Sequence, residues 1–171
     1  MKSSRSLAEF VSLKSPICVF SLIVAILSGS VAQADTRGEQ LYRNCTICHG
    51  PDAEGIPLQL APALSGLSEK YIFEQLKKFK SGFRGKHTDD KAGLRMLPMA
   101  QTLSSEEDMQ SVASHILGLA SSQVEASLEG GDAMKGQALY AVCQACHGPD
   151  GKGNDLLNAP SLLNQHDWYH L

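Results

Sequence analysis

Aromatic side chains are scarce in this chain. They make up 6% of its 171 residues, with one tryptophan. A packed core with so few rings leaves room for a large non-protein group. Positive charge is also short: the formal net charge is -3, a poor match to nucleic acid. No nucleophile–base pair, phosphate-cradling glycine loop or carboxylate dyad is visible, which removes the usual basis for hydrolysis or phosphoryl transfer. Long apolar runs are missing beyond the first 30 residues, so no later segment reads as membrane-spanning. Hydrophobic residues still make up 43% of the chain, too many for a wholly disordered protein.

Residues 1–34 read as a secretion signal. Lys2, Arg5 and Lys14 give a basic start, residues 17–27 an apolar run, and Ala32, Gln33 and Ala34 a small-residue cleavage site. An uncleaved tether is the other reading, although the apolar run is shorter than the roughly 20 residues of a bilayer span. Cys18 lies in that run and is assigned no role. Loss of three bases and one acid with the signal takes the net charge from -3 to -5.

One internal repeat organises the rest. Residues 38–73 lie on residues 136–171 without gaps, at a constant offset of 98. Leu41 and Tyr42 fall on Leu139 and Tyr140. Cys45, Cys48, His49, Gly50, Pro51 and Asp52 fall on Cys143, Cys146, His147, Gly148, Pro149 and Asp150. Gly55, Ala61, Pro62, Leu64 and Tyr71 also recur, as Gly153, Ala159, Pro160, Leu162 and Tyr169. The expected organisation is a signal at 1–34, a first module at 35–120, a polar linker at 121–131 and a partial second module at 132–171.

Local signals predict an all-helical fold. Thr36 with Glu39 forms a capping box for a helix towards Cys45, and Ser68 caps a helix through Lys80 that Gly82 ends. Residues 83–103 read as an irregular stretch. Ser104 with Glu107 caps a last helix whose apolar stripe is Met109, Val112, Ala113, Ile116 and Leu117. Asp132 caps the first helix of the second module.

Cys45-Thr46-Ile47-Cys48-His49 and Cys143-Gln144-Ala145-Cys146-His147 are both C-x-x-C-H, the attachment signature of c-type haem. Cysteines three positions apart can reach both vinyl groups of one porphyrin, and the next residue carries an imidazole to the iron. Three other readings exist. A redox dithiol wants a preceding strand, and none is visible. A shared zinc site wants its pairs roughly 15–20 residues apart, against 98 here. A structural disulfide is the third. Met96 and Met99 are candidates for a second axial ligand on the first iron, with core filling as the alternative role for either.

These features resemble class I cytochromes c, and among them the dihaem cytochrome c4 type. The resemblance rests on both C-x-x-C-H-G units, Ala61-Pro62-Ala63-Leu64, the stretch 71–85, and Met96-Leu97-Pro98-Met99-Ala100 before Leu103-Ser104. It implies tandem cytochrome c-like helical domains around covalent haem. It also implies Met96 as the distal ligand, with Pro62 and Pro160 carbonyls receiving the Nδ1 protons of His49 and His147. The copy after the linker ends at Leu171, so the resemblance implies an incomplete second domain. No methionine follows His147 there, which leaves His166 and His170 as the nearby donors, neither well placed. The second haem is expected to be the more exposed.

The implied function is a periplasmic electron carrier rather than an enzyme, with a terminal oxidase, bc1-type complex or dehydrogenase as partner. Any membrane association would come through that partner. A haem subunit of a dehydrogenase or oxidase complex, or a peroxidase-like enzyme using an open second haem, are the alternatives. His87 and His115 read as surface or helix-face residues. Lys77, Lys78, Lys80, Arg84 and Lys86 read as a solvated face or a docking patch.

Overall fold

A computed structural model describes residues 31–171 apart from 122, with side chains described from residue 37 onward. Residues 1–30 of the expected signal therefore lie outside the described residues. Ala34–Leu171 forms a single compact unit. Among the described residues no helix is long and apolar enough to cross a membrane.

The elements are helical, joined by loops that contain two isolated bridges, Ile56 with Ala61 and Asn154 with Ala159. In the first module α1 is Val31–Tyr42, α2 Thr46–His49, α3 Glu69–Lys80, α4 Lys91–Gln101 and α5 Glu106–Gly118. In the second, α6 is Ala133–Tyr140 and α7 Gln144–His147, and a 3-10 turn spans Asp167–Tyr169.

Caps explain most of these starts. Ser68 accepts from the Tyr71 N–H to open α3. Asp132 accepts from the Met134 and Lys135 N–H groups to open α6. Two starts differ from expectation. Thr36 lies inside α1, which already includes Val31, rather than capping it, in a stretch that Ala32, Gln33 and Ala34 favour as helix. The cap of α5 is Ser105 rather than Ser104, because the Asp108 N–H donates to the Ser105 hydroxyl at 3.2 Å. The Asp108 carboxylate in turn accepts from the Ser104 N–H.

The stretch expected to be irregular between 83 and 103 contains α4. Asp90 caps it by accepting from the Gly93 N–H at 2.8 Å. Pro98 sits inside it and leaves the Leu94 carbonyl without its helical donor. Tertiary packing against α3 holds this helix despite its glycine and proline.

The core lies in the first module. Ile72, Leu76 and Phe79 of α3 meet Met109, Val112 and Ile116 of α5. Leu117, expected in that stripe, is 55% exposed, since it follows Ile116 around the helix and faces away from the core. α1 crosses α5 closely at Gly38, where a Cβ would lie 2.2 Å from the Ser111 carbonyl oxygen. Arg37 donates to Asp108 beside this crossing and holds the Asp108 carboxyl below its usual range.

Candidate functional site

Both C-x-x-C-H units fold into the same turn. Cys45 precedes α2, Cys48 lies within it and His49 ends it, with the His49 N–H bonded to the Cys45 carbonyl at 2.8 Å. The second unit repeats this around α7, with the His147 N–H on the Cys143 carbonyl at 3.0 Å. The four cysteines are free thiols, so neither pair forms a disulfide. Among the described residues no three or more His, Cys, Asp or Glu gather as a metal site would require.

Each histidine is fixed by a proline carbonyl. His49 Nδ1 lies 2.9 Å from the Pro62 oxygen and His147 Nδ1 2.8 Å from the Pro160 oxygen. That contact makes Nδ1 the protonated nitrogen and leaves Nε2 as the basic one. The glycines recurring in both copies allow it. A Cβ at Gly55 would lie 2.6 Å from the Pro62 carbonyl carbon, and one at Gly153 2.6 Å from that of Pro160. Both glycines also have positive φ, 78° and 85°. The tyrosine before each unit anchors the turn: Tyr42 donates to the Gly50 carbonyl at 2.9 Å and Tyr140 to the Gly148 carbonyl at 2.7 Å.

The surroundings of the two turns differ. A cavity of about 420 Å³ opens beside Cys45, Cys48 and His49, walled mainly by the first module and closed at one side by Pro160, Gln165 and His170 of the second. Its wall includes Leu64, Ile72, Leu76, Met96, Met99, Leu103 and Val112. His49 is buried there, which lowers its pKa against the raising effect of the Pro62 bond. Burial, with the neighbouring Cys48 second, pushes the Cys45 thiol up to about 11. Two thiols and an imidazole on one turn, facing an apolar cavity, fit a covalently held haem.

The two methionines have different settings. Met99 is 39% exposed, whereas Met96 packs against the core. Being three residues apart on α4 rather than in a loop, they share one helix side, and both reach the cavity.

In the second module Cys143 and Cys146 are exposed, with Leu139 74% and Val142 82% exposed beside them. His166 Nε2 lies 3.0 Å from the Glu54 carbonyl oxygen, and His170, which borders the cavity beside His49, has its Nε2 3.2 Å from the Leu162 carbonyl oxygen.

The basic group is largely engaged within its own module. Lys77 pairs with Glu106 at 3.3 Å, Lys80 donates to the Leu103 carbonyl, and Arg84 lies 4.4 Å from the Phe79 ring centroid. His87 is exposed beside Asp89, and the His115 ring lies 5.3 Å from that of Tyr42.

Contacts between the modules were not anticipated. Gln165 bonds both the N–H and the carbonyl of Ala63, each at 2.9 Å. Ser68 donates to the Asp155 carboxylate at 2.5 Å, and Lys70 to the Asp155 carbonyl at 2.6 Å. Asp167 accepts from Ser127 and Leu128 of the linker. A signal for them existed at positions where the copies differ in polarity: Asp155 replaces Pro57 and Gln165 replaces Leu67.

The cytochrome c family model matches residues 36–120 and 133–171. The cbb3-type cytochrome c oxidase subunit CcoP of Rubrivivax gelatinosus is 34% identical over 146 residues, covering 81% of this chain and 41% of that subunit. Cytochrome c4 of Stutzerimonas stutzeri is 31% identical over 137 residues, covering 73% of this chain and 63% of the relative. The chain thus spans less than two thirds of either relative's length. The crystal structure of reduced recombinant cytochrome c4 from Pseudomonas stutzeri matches with a TM-score of 0.59 at 28% identity, covering 77% of this chain and 73% of that one.

Proposed function

We propose that this chain, which belongs to the cytochrome c family, is an exported periplasmic carrier that passes single electrons between redox proteins through two covalently held haems. Haem supplies the one-electron couple between ferrous and ferric iron. Cys45 and Cys48 hold the first group through thioethers, and Cys143 and Cys146 the second. His49 and His147 offer Nε2 to the irons, each kept in the right tautomer and made more basic by its proline carbonyl. Met96 would hold the first iron through its sulfur, and a Met/His pair would raise the reduction potential. Its packing against the core supports Met96 over the more exposed Met99, because a fixed sulfur loses less freedom on ligation.

The carrying observation is the duplicated turn, in which two free thiols precede a histidine tied through Nδ1 to a proline carbonyl. A pyridine haemochrome assay on acetone-extracted protein is expected to count two haems per chain. A count of zero ends this reading, and a count of one means the second module does not hold its haem. Met96→Ala is expected to abolish the weak red sulfur-to-iron band of the oxidised first haem, and Met99→Ala to leave it. The opposite pattern reassigns the ligand.

A second reading is favoured by the relative named as an oxidase subunit. In that case the chain acts as part of a larger redox assembly rather than as a free carrier. Co-purification of a stoichiometric partner from the native membrane fraction distinguishes the two.

A further inference from the structure

We infer that Gln165, a residue of the second module, is a positioning residue for the axial histidine of the first haem. This rests on the proposed role of His49. The peptide joining Pro62 to Ala63 carries two hydrogen bonds at once. Its carbonyl oxygen faces His49 Nδ1 at 2.9 Å, and its N–H donates to Gln165 Oε1 at 2.9 Å. An amide whose N–H is engaged becomes a stronger acceptor at its oxygen, because hydrogen bonds in a chain polarise one another, by about 10–30% per bond. Gln165 therefore strengthens the pull of Pro62 on the His49 proton. A more basic imidazole favours ferric iron and lowers the potential.

Gln165 is held to this task at both ends. Its Nε2 donates to the Ala63 carbonyl at 2.9 Å, which fixes the amide plane and presents Oε1 to the Ala63 N–H. Ala63 itself is 1% exposed, so water does not compete for its N–H. The neighbouring His166 grips the other side of the same frame. Its Nε2 donates to the Glu54 carbonyl, while the N–H of that peptide, from Gly55, donates to the His49 carbonyl at 2.8 Å. Two adjacent residues of the second module thus hold the two peptides that bracket His49. Among the described residues no side chain does the same for the Pro160–Ser161 peptide beside His147. The second module's docking is in this way linked to the electronic state of the first haem.

The test uses the full-length holoprotein with both haems attached, and reads two quantities. One is the midpoint potential of each haem by optical titration. The other is solvent exchange of the His49 Nδ1 and Ala63 amide protons by nuclear magnetic resonance. Gln165→Leu is expected to raise the first haem's potential and speed both exchanges, with the second haem unchanged. Gln165→Ala, which adds no apolar branch, must do the same. Gln165→Glu keeps an acceptor for the Ala63 N–H and is expected to show no rise. Asp167→Asn removes the charge that holds the linker without touching Ala63, and should leave the first haem's potential in place. An unchanged potential in Gln165→Leu and Gln165→Ala overturns the inference. So does an equal rise in Gln165→Glu or Asp167→Asn, since general loosening would then explain the effect. Failure to attach haem at Cys45 and Cys48 would instead overturn the proposed function.

Discussion

The two modules share one proximal turn and differ in what surrounds it. Tyr42, His49 and Pro62 make the same hydrogen bonds as Tyr140, His147 and Pro160, and Gly55 and Gly153 share a positive φ. Yet α3, α4 and α5 wall the first turn, while Leu139 and Val142 beside the second are exposed. A Cβ at Gly38 would strike the Ser111 carbonyl of α5, whereas one at its counterpart Gly136 would meet nothing within 4 Å. The turn is thus locally encoded by short-range bonds and needs no core around it. Burial of the group beside it is a separate property, supplied by elements distant in sequence.

The largest expected contrast between the modules is ligand access. With the proposed haems reduced, carbon monoxide is expected to bind the second and not the first, because Met96 is the proposed ligand of the first iron while His166 and His170 are directed to carbonyls. Absence of binding at both haems would mean that the second has a sixth ligand, and His166→Ala and His170→Ala would then show whether the tail provides it.

Core truncation should separate the modules next. Met109 is 2% exposed and Met134 83%. Met109→Ala is expected to lower stability by about 2–5 kcal/mol, and Met134→Ala to stay within about 0.5 kcal/mol. Denaturant melts of the holoprotein provide both values, and equal losses would show that α6 is packed in solution.

The two glycines sharpen the same point with smaller effects. Gly38→Ala forces a methyl onto the Ser111 carbonyl and is expected to cost about 1–3 kcal/mol. Gly136→Ala meets open space inside a helix, and is expected to gain about 0.5–1 kcal/mol from helix propensity. Thermal unfolding of the two variants should move in opposite directions.

The smallest effect concerns the linker. Asp167 is held down at about 2, chiefly by the Ser127 hydroxyl and then by the Leu128 N–H. A carboxyl depressed on folding stabilises fully above its ordinary pKa of roughly 4, and that stabilisation is lost as pH falls through the folded value. The Ser127 and Leu128 amide shifts should therefore titrate with a midpoint near 2. In Asp167→Asn this titration should vanish.

Much of the site was legible because its signals are short-range. The spacing of Cys45, Cys48 and His49 sets one helical turn, and the recurrence of Gly55 and Pro62 as Gly153 and Pro160 marks the loop that returns to it. Helix α4 was not legible, since Gly93 and Pro98 read as breakers when packing against α3 is left out. With α4 went the setting of the methionines: an irregular chain gives no reason for Met96 and Met99 to share a side.

Residue order alone dictates the attachment turns, their duplication and the helical character of the chain. Each depends on residues within about fifteen positions of one another, where chain connectivity brings the groups together. Long-range packing sets the rest: which methionine is packed, which turn is walled, and that Gln165 and His166 reach back to Ala63 and Glu54 across the module junction. Those partners lie more than a hundred positions apart, 102 for Gln165 with Ala63 and 112 for His166 with Glu54. At that separation, pairing depends on how whole helices and loops pack, and no local pattern in the chain carries it.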